Sequence, residues 1–76
     1  MTVSAIIIED ELEAQKILTS LLNKYAWISI EGSFQNADDA LKYLLKNSID
    51  LIFLDIHMPG KNVFVFLDEL KETMDI

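Results

Sequence analysis

The fold is decided by the segment VSAIIIED at residues 3–10, in which an apolar, β-branched run stops at two acidic residues. The apolar residues do not alternate with polar ones, which is typical of a strand covered on both faces of a parallel sheet. Residues 51–54, LIFL, form a second such run between Asp50 and Asp55. Both runs are too short for helices, so we predict two strands of a parallel sheet.

The sequence between these runs predicts two helices and a further strand. From Glu11 to Tyr25 the apolar residues recur at helical spacing. That stripe comprises Ala14, Ile17, Leu18, Leu21, Leu22 and Tyr25. Residues 28–34 alternate weakly until Gly32, which predicts a second strand whose end the pattern does not fix. Asn36 is a predicted N-cap of the next helix, which we expect to stop near Asn47.

The segment after residue 55 predicts a turn and a third helix. Met58-Pro59-Gly60 favours a turn, because proline fixes φ and glycine permits unusual backbone angles. A third helical stripe follows, formed by Val63, Phe66, Leu67, Leu70 and Met74. Residues 63–66 also have strand propensity, so a local strand is the alternative. The order βαβαβα with short connections requires right-handed crossovers and a parallel sheet.

Composition bounds the class of protein. A chain of 76 residues has room for at most one small domain, and 51% hydrophobic and 25% charged residues predict that it folds. Its 6 lysines and 13 acidic residues give a net charge of −7, which disfavours binding to nucleic acid or anionic membranes. The absence of cysteine excludes disulfides and thiolate metal sites. The sequence has neither a signal peptide pattern nor a membrane span, so we expect a cytoplasmic protein.

Acidic side chains follow two of the predicted strands. Glu9 and Asp10 come directly after the strand predicted at residues 3–8, and Asp55 ends the strand predicted at residues 51–54, which is the third along the chain. If those strands are neighbours, the three carboxylates converge at the carboxyl edge of the sheet, where α/β proteins bind ligands. Clustered carboxylates suit a hard cation such as Mg²⁺. A single acid at a strand end usually reflects only the solvation of a loop. Three acids at two strand ends are a much more specific indication of a ligand-binding site.

Two segments carry a resemblance to a known family. Residues 6–11, IIIEDE, and 51–60, LIFLDIHMPG, resemble the receiver domain of two-component response regulators. They are particularly similar to receivers fused to LytTR-type DNA-binding domains. The resemblance implies a flavodoxin-like (CheY-like) doubly wound α/β fold, in which the first three strands have the order 2-1-3.

The resemblance also implies roles for individual residues. Asp55 is the implied phosphoacceptor, which takes a phosphoryl group from a phosphohistidine of a sensor histidine kinase. Glu9, Asp10, Asp55 and the main-chain carbonyl of His57 are the implied ligands of Mg²⁺ or Mn²⁺, whereas the His57 side chain has no implied role. The expected activity is that of a signalling module and not of an enzyme.

Receivers of this family continue through two further strand and helix pairs, which carry a Ser or Thr and a Lys that contact the phosphate. Residues 1–76 correspond to the N-terminal portion of such a domain. The first interpretation is therefore a signalling phosphoacceptor. The alternative is a phosphorylation-incompetent fragment, poorly labelled at Asp55, that acts as an oligomerising interaction module and forms a homodimer or larger homo-oligomer. A metal-dependent phosphohydrolase is disfavoured, because His57 stands where that class needs a second acid.

Overall fold

A computed structural model describes residues 2–54, 65, 67–69 and 71. Its complete elements are β1 Val3–Ile8, α1 Leu12–Leu22, β2 Ile28–Phe34, α2 Ala37–Lys46 and β3 Leu51–Leu54. In the predicted third helix, residues 65, 67–69 and 71 are helical. The predicted turn at Met58-Pro59-Gly60 lies outside the described residues. No helix in the described part is long and apolar enough to cross a membrane.

The three strands form a parallel sheet with the order β2-β1-β3, as predicted. The pairing of β1 with β3 runs from Ala5 beside Leu51 to Ile8 beside Leu54. Residues 5–8 are completely buried because β1 has a strand on each side and a helical layer on each face. This burial explains why β1 is apolar without alternation.

A β-bulge in β2 explains how the second strand continues past Gly32 to Phe34. Ala5 pairs with Ile30 and Ile6 with Gly32, so the register shifts by one residue at Glu31. A Cβ atom on Gly32 would lie 3.1 Å from Cε2 of Phe34, which is tighter than ordinary van der Waals contact. Glycine therefore lets β2 bend and continue to Phe34, beside the end of β1.

The main core lies between the sheet and α2. Its buried members are Ile6, Ile8, Ala37, Ala40 and Leu44. The α2 helix is capped as predicted, because the Asn36 side chain accepts a hydrogen bond of 2.8 Å from the Asp39 amide. The spacing of Ala37, Ala40, Leu41, Leu44 and Leu45 predicts one apolar face, but Leu45 is 65% exposed and lies outside the buried part of that face.

Helix α1 covers the opposite face of the sheet. Phe53, which pairs with Ile7 across β1 and β3, lines a groove together with Leu18 of α1. Leu22 is the buried anchor of this helix. Ile17 and Leu21 of the predicted stripe are exposed, so the buried face of α1 is narrower than its spacing indicates.

The first helix also ends earlier than its pattern predicts. It stops at Leu22, and the amides of Lys24 and Tyr25 then donate to the carbonyls of Leu21 and Leu22, three residues back. These tighter bonds turn the chain toward β2. Tyr25 therefore leaves the helical stripe and packs edge-on against Trp27, with ring centroids 6.2 Å apart.

A polar clamp joins the starts of β1 and β3. The amide and hydroxyl of Ser4 both donate to Oδ2 of Asp50, over 3.0 and 3.1 Å. The Asp50 amide in turn donates to the Ser4 carbonyl, 3.0 Å away. The acid before β3 thus has a structural role at the end of the sheet opposite to the predicted site.

Candidate functional site

The acidic pair lies at the carboxyl edge of the central strand. Glu9 and Asp10 follow the fully buried Ile8 and are themselves half-buried. Ile8 pairs with Leu54, the last residue of β3. Asp55, the next residue in the sequence, and His57 both lie outside the described residues, so their predicted roles stay predictions.

Two main-chain amides, those of Glu9 and Glu11, donate the hydrogen bonds that hold the loop between β1 and α1. The Glu9 amide donates to the Phe34 carbonyl over 2.8 Å and thereby extends the pairing of β1 with β2 by one residue. Oε2 of Glu9 accepts a hydrogen bond of 3.3 Å from the amide of Glu11. These bonds keep the chain extended past Ile8, so both acids stand at the sheet edge before α1 begins.

Two glutamine side chains that the sequence pattern does not single out contact the same loop. Nε2 of Gln15, in α1, donates to the carbonyls of Glu9 and Phe34 over 3.3 and 3.2 Å. Nε2 of Gln35, after β2, donates to the carbonyl of Asp10 over 3.4 Å. Spacing gives little signal for such contacts, because a neutral amide in a helix resembles any solvated residue.

An open groove of about 280 Å³ adjoins the acidic pair. It is lined by Ile8, Glu9, Leu18, Phe53 and Leu54. Among the described residues that line it, Glu9 alone has a polar side chain.

The donor chemistry of the acidic pair fits a hard divalent cation. Glu9 and Asp10 supply carboxylate oxygens, and Mg²⁺ typically uses one or two carboxylates and retains several waters. Within residues 2–54 and the described helical positions, no group of three or more His, Cys, Asp or Glu residues could hold a metal ion. The sequence predicts Asp55, which lies outside the described residues, as a further ligand.

Comparison with curated proteins identifies relatives over most of this chain. Protein MrkE of Klebsiella pneumoniae is 47% identical over 55 residues, which cover 72% of this chain and 20% of MrkE. Transcriptional regulatory protein YpdB of Escherichia coli strain K12 is 44% identical over 55 residues, 72% of this chain and 22% of YpdB. Sensory transduction protein LytT of Bacillus anthracis is 34% identical over 67 residues, 88% of this chain and 27% of LytT. The chain thus spans less than a third of each relative.

A solved structure has the same fold. The crystal structure of the response regulatory domain of MrkE from Klebsiella pneumoniae superposes with a TM-score of 0.78 and 38% sequence identity. The match covers 91% of this chain and 57% of that chain. The profile of the response regulator receiver domain matches residues 5–75. The parallel β2-β1-β3 sheet, the acidic pair after β1 and this match lead to one conclusion: the chain belongs to the response regulator receiver domain family.

Proposed function

We propose that this receiver acts as a phosphoacceptor in two-component signalling, with Asp55 as the residue that is phosphorylated. A sensor histidine kinase is the proposed phosphoryl donor. A carboxylate oxygen of Asp55 would attack the phosphorus atom, the P–N bond to the histidine would break, and the imidazole would leave. The observation that carries the proposal is the placement of Glu9 and Asp10 at the end of β1, beside the strand that leads to Asp55.

Glu9, Asp10, Asp55 and the main-chain carbonyl of His57 would hold Mg²⁺ or Mn²⁺. Such a cation offsets the negative charges that approach one another during phosphoryl transfer. The described residues support this assignment through the chemistry of their two carboxylates. A cytoplasmic location and the lack of direct binding to nucleic acid remain predictions from composition.

Phosphoryl labelling tests the proposal. Acetyl phosphate with Mg²⁺ is expected to label this chain at Asp55 and at no other residue, because Asp55 is the proposed nucleophile. Poor or absent labelling of Asp55 would favour the interaction module instead. Intact-mass spectrometry and peptide mapping measure the extent and the position of the label.

Two variants of the third strand sharpen this test. Asp55→Asn is expected to abolish the label, whereas Asp50→Asn, at the other end of β3, is expected to retain it. A label that persists in Asp55→Asn would refute the phosphoacceptor role. Rapid stoichiometric labelling of the unmodified chain would instead refute the alternative of an interaction module.

The alternative, an oligomerising module, is supported by the outer edge of β3. Among the described residues, β3 pairs only with β1, and its four residues include no charge or proline that would block pairing with another chain. Leu51 is 38% exposed, and Val65 and Leu67 are 43% and 48% exposed. We propose association through this edge to form a homodimer or larger homo-oligomer.

A charged substitution at the edge tests this association. Leu51→Lys is expected to shift the chain toward monomer, because a lysine at a strand edge opposes pairing. Leu45→Lys, a change of the same kind at an exposed position of α2, is the matched control. Light scattering over a dilution series at low and high salt measures the mass. Association should strengthen with salt, which screens the net charge of −7, and a monomer at all concentrations and salts would exclude the module.

A further inference from the structure

The side chain of Gln15 uses both of its amide hydrogens at the end of the sheet. A glutamine amide has two N–H donors, and Nε2 of Gln15 lies 3.3 Å from the Glu9 carbonyl and 3.2 Å from the Phe34 carbonyl. The Phe34 carbonyl also accepts the Glu9 amide over 2.8 Å. One side chain of α1 therefore ties together the ends of β1 and β2, at the point where the two strands diverge.

These contacts act on the peptide units that carry the acidic pair. The Glu9 carbonyl belongs to the peptide plane between Glu9 and Asp10, and the Asp10 carbonyl to the next plane. Gln15 holds the first plane, and Gln35 holds the second through a bond of 3.4 Å. Because a peptide unit is planar, fixing two successive planes limits the backbone angles of Asp10. Those angles set the direction of its Cα–Cβ bond, from which the carboxylate extends.

The neutrality of the amide matters for a cation site. A lysine or arginine could donate to the same carbonyls, but its charge would lie close to the carboxylates and compete with a bound cation. Gln15 orders the loop and leaves the negative charge of Glu9 and Asp10 available. The groups that position metal ligands in this manner typically influence metal affinity strongly.

We propose that Gln15 is a positioning residue, which sets the orientation of the Glu9–Asp10 acidic pair for a divalent cation through its two hydrogen bonds to the Glu9 and Phe34 carbonyls. The link to a cation rests on the proposed function. The link to loop order rests on the hydrogen bonds alone.

The test compares Gln15→Met with Thr19→Val in the full 76-residue chain. Methionine preserves the length of the side chain and removes both donors. Thr19→Val removes a bond of 2.8 Å from the Thr19 hydroxyl to the Gln15 carbonyl, so it perturbs the same helix without touching the loop. Gln15→Met is expected to raise the Kd for Mn²⁺ about tenfold, measured by water proton relaxation, whereas Thr19→Val should leave it unchanged.

Hydrogen exchange of the Glu9 amide provides a readout that needs no metal. Gln15→Met should accelerate this exchange more than Thr19→Val does, when both rates are compared at equal global stability. If Gln15→Met does not fold, Gln15→Ala replaces it, because alanine removes the same two donors and has the highest helix propensity. Equal Mn²⁺ affinity or equal Glu9 exchange in the two α1 variants would overturn the proposal.

The outcomes separate the two proposals. Failure of the unmodified chain to bind Mn²⁺ in a manner that depends on Asp10 would contradict the proposed function. Hydrogen exchange of the Glu9 amide would still show whether Gln15 orders the loop. Mn²⁺ binding that is unaffected by Gln15→Met would refute the positioning role and leave the proposed function standing.

Discussion

Ile6→Ala is expected to lower the free energy of unfolding by about 2–5 kcal/mol, which is the range for truncating a buried isoleucine to alanine. Ile6 is completely buried in the central strand and belongs to the core cluster that packs on α2. Truncation of the Ile6 side chain leaves a cavity between the sheet and α2, which these two layers cannot close without moving the sheet. A polypeptide of 76 residues has only a few kcal/mol of stability, so this variant of the 76-residue chain is expected to be largely unfolded at 37 °C.

The control is a change of the same residue type at the surface. Ile17 of α1 is 61% exposed, and Ile17→Ala is expected to alter stability by less than about 0.5 kcal/mol. Ile6→Val, with an expected loss of about 0.5–1.5 kcal/mol, keeps the comparison measurable where Ile6→Ala is unfolded. Urea unfolding followed by far-UV circular dichroism gives these values. Equal losses at positions 6 and 17 would contradict the central place of β1.

Asp10→Asn is expected to weaken the binding of Mn²⁺ by about tenfold or more, because the affinity of such sites depends on the number of charged oxygen ligands. Asp10 is half-buried at the carboxyl edge of the sheet, and its backbone is held by Gln35. The amide preserves the size of the side chain and removes its charge. Fold stability should therefore change little while cation affinity falls.

The matched control removes the same charge elsewhere. The control is Glu31→Gln. Glu31 lies at the bulge of β2, and its exposed carboxylate accepts a hydrogen bond from the Ser29 hydroxyl. The substitution lowers the net negative charge as much as Asp10→Asn does but should leave the Mn²⁺ affinity nearly unchanged at 0.15 M salt, since screening there extends over about 8 Å. Titration by water proton relaxation measures both. Unchanged affinity in Asp10→Asn, with the protein folded, would show that the acidic pair is not the cation site.

Much of the fold followed from local patterns. The bounds of β1 and β3 were predictable because each is a short, mainly apolar run that ends just before an acidic residue. The start of α2 was predictable because Asn36 caps it through its own side chain, a contact between near neighbours. The acidic pair was found for the same reason: Glu9 and Asp10 mark the end of a strand by an abrupt change in polarity.

Features that depend on distant parts of the chain were not predictable. The end of α1 at Leu22 depends on the turn that brings the chain to β2, and the exposure of Ile17 and Leu45 depends on which helical surfaces meet the sheet. The bulge at Glu31 is a property of two paired strands and not of β2 alone.

The sequence by itself determined the order of the elements, the family and the place of the acidic pair Glu9–Asp10 after β1, because each is written in contiguous residues. Only the tertiary structure decided that Gln15 and Gln35 hold the loop of the acidic pair and that Asp50 clamps Ser4. The physical reason is that these are hydrogen bonds to main-chain carbonyls and amides as well as to side chains. Main-chain groups are identical at almost every position, so their partners are identified only when folding has brought them together.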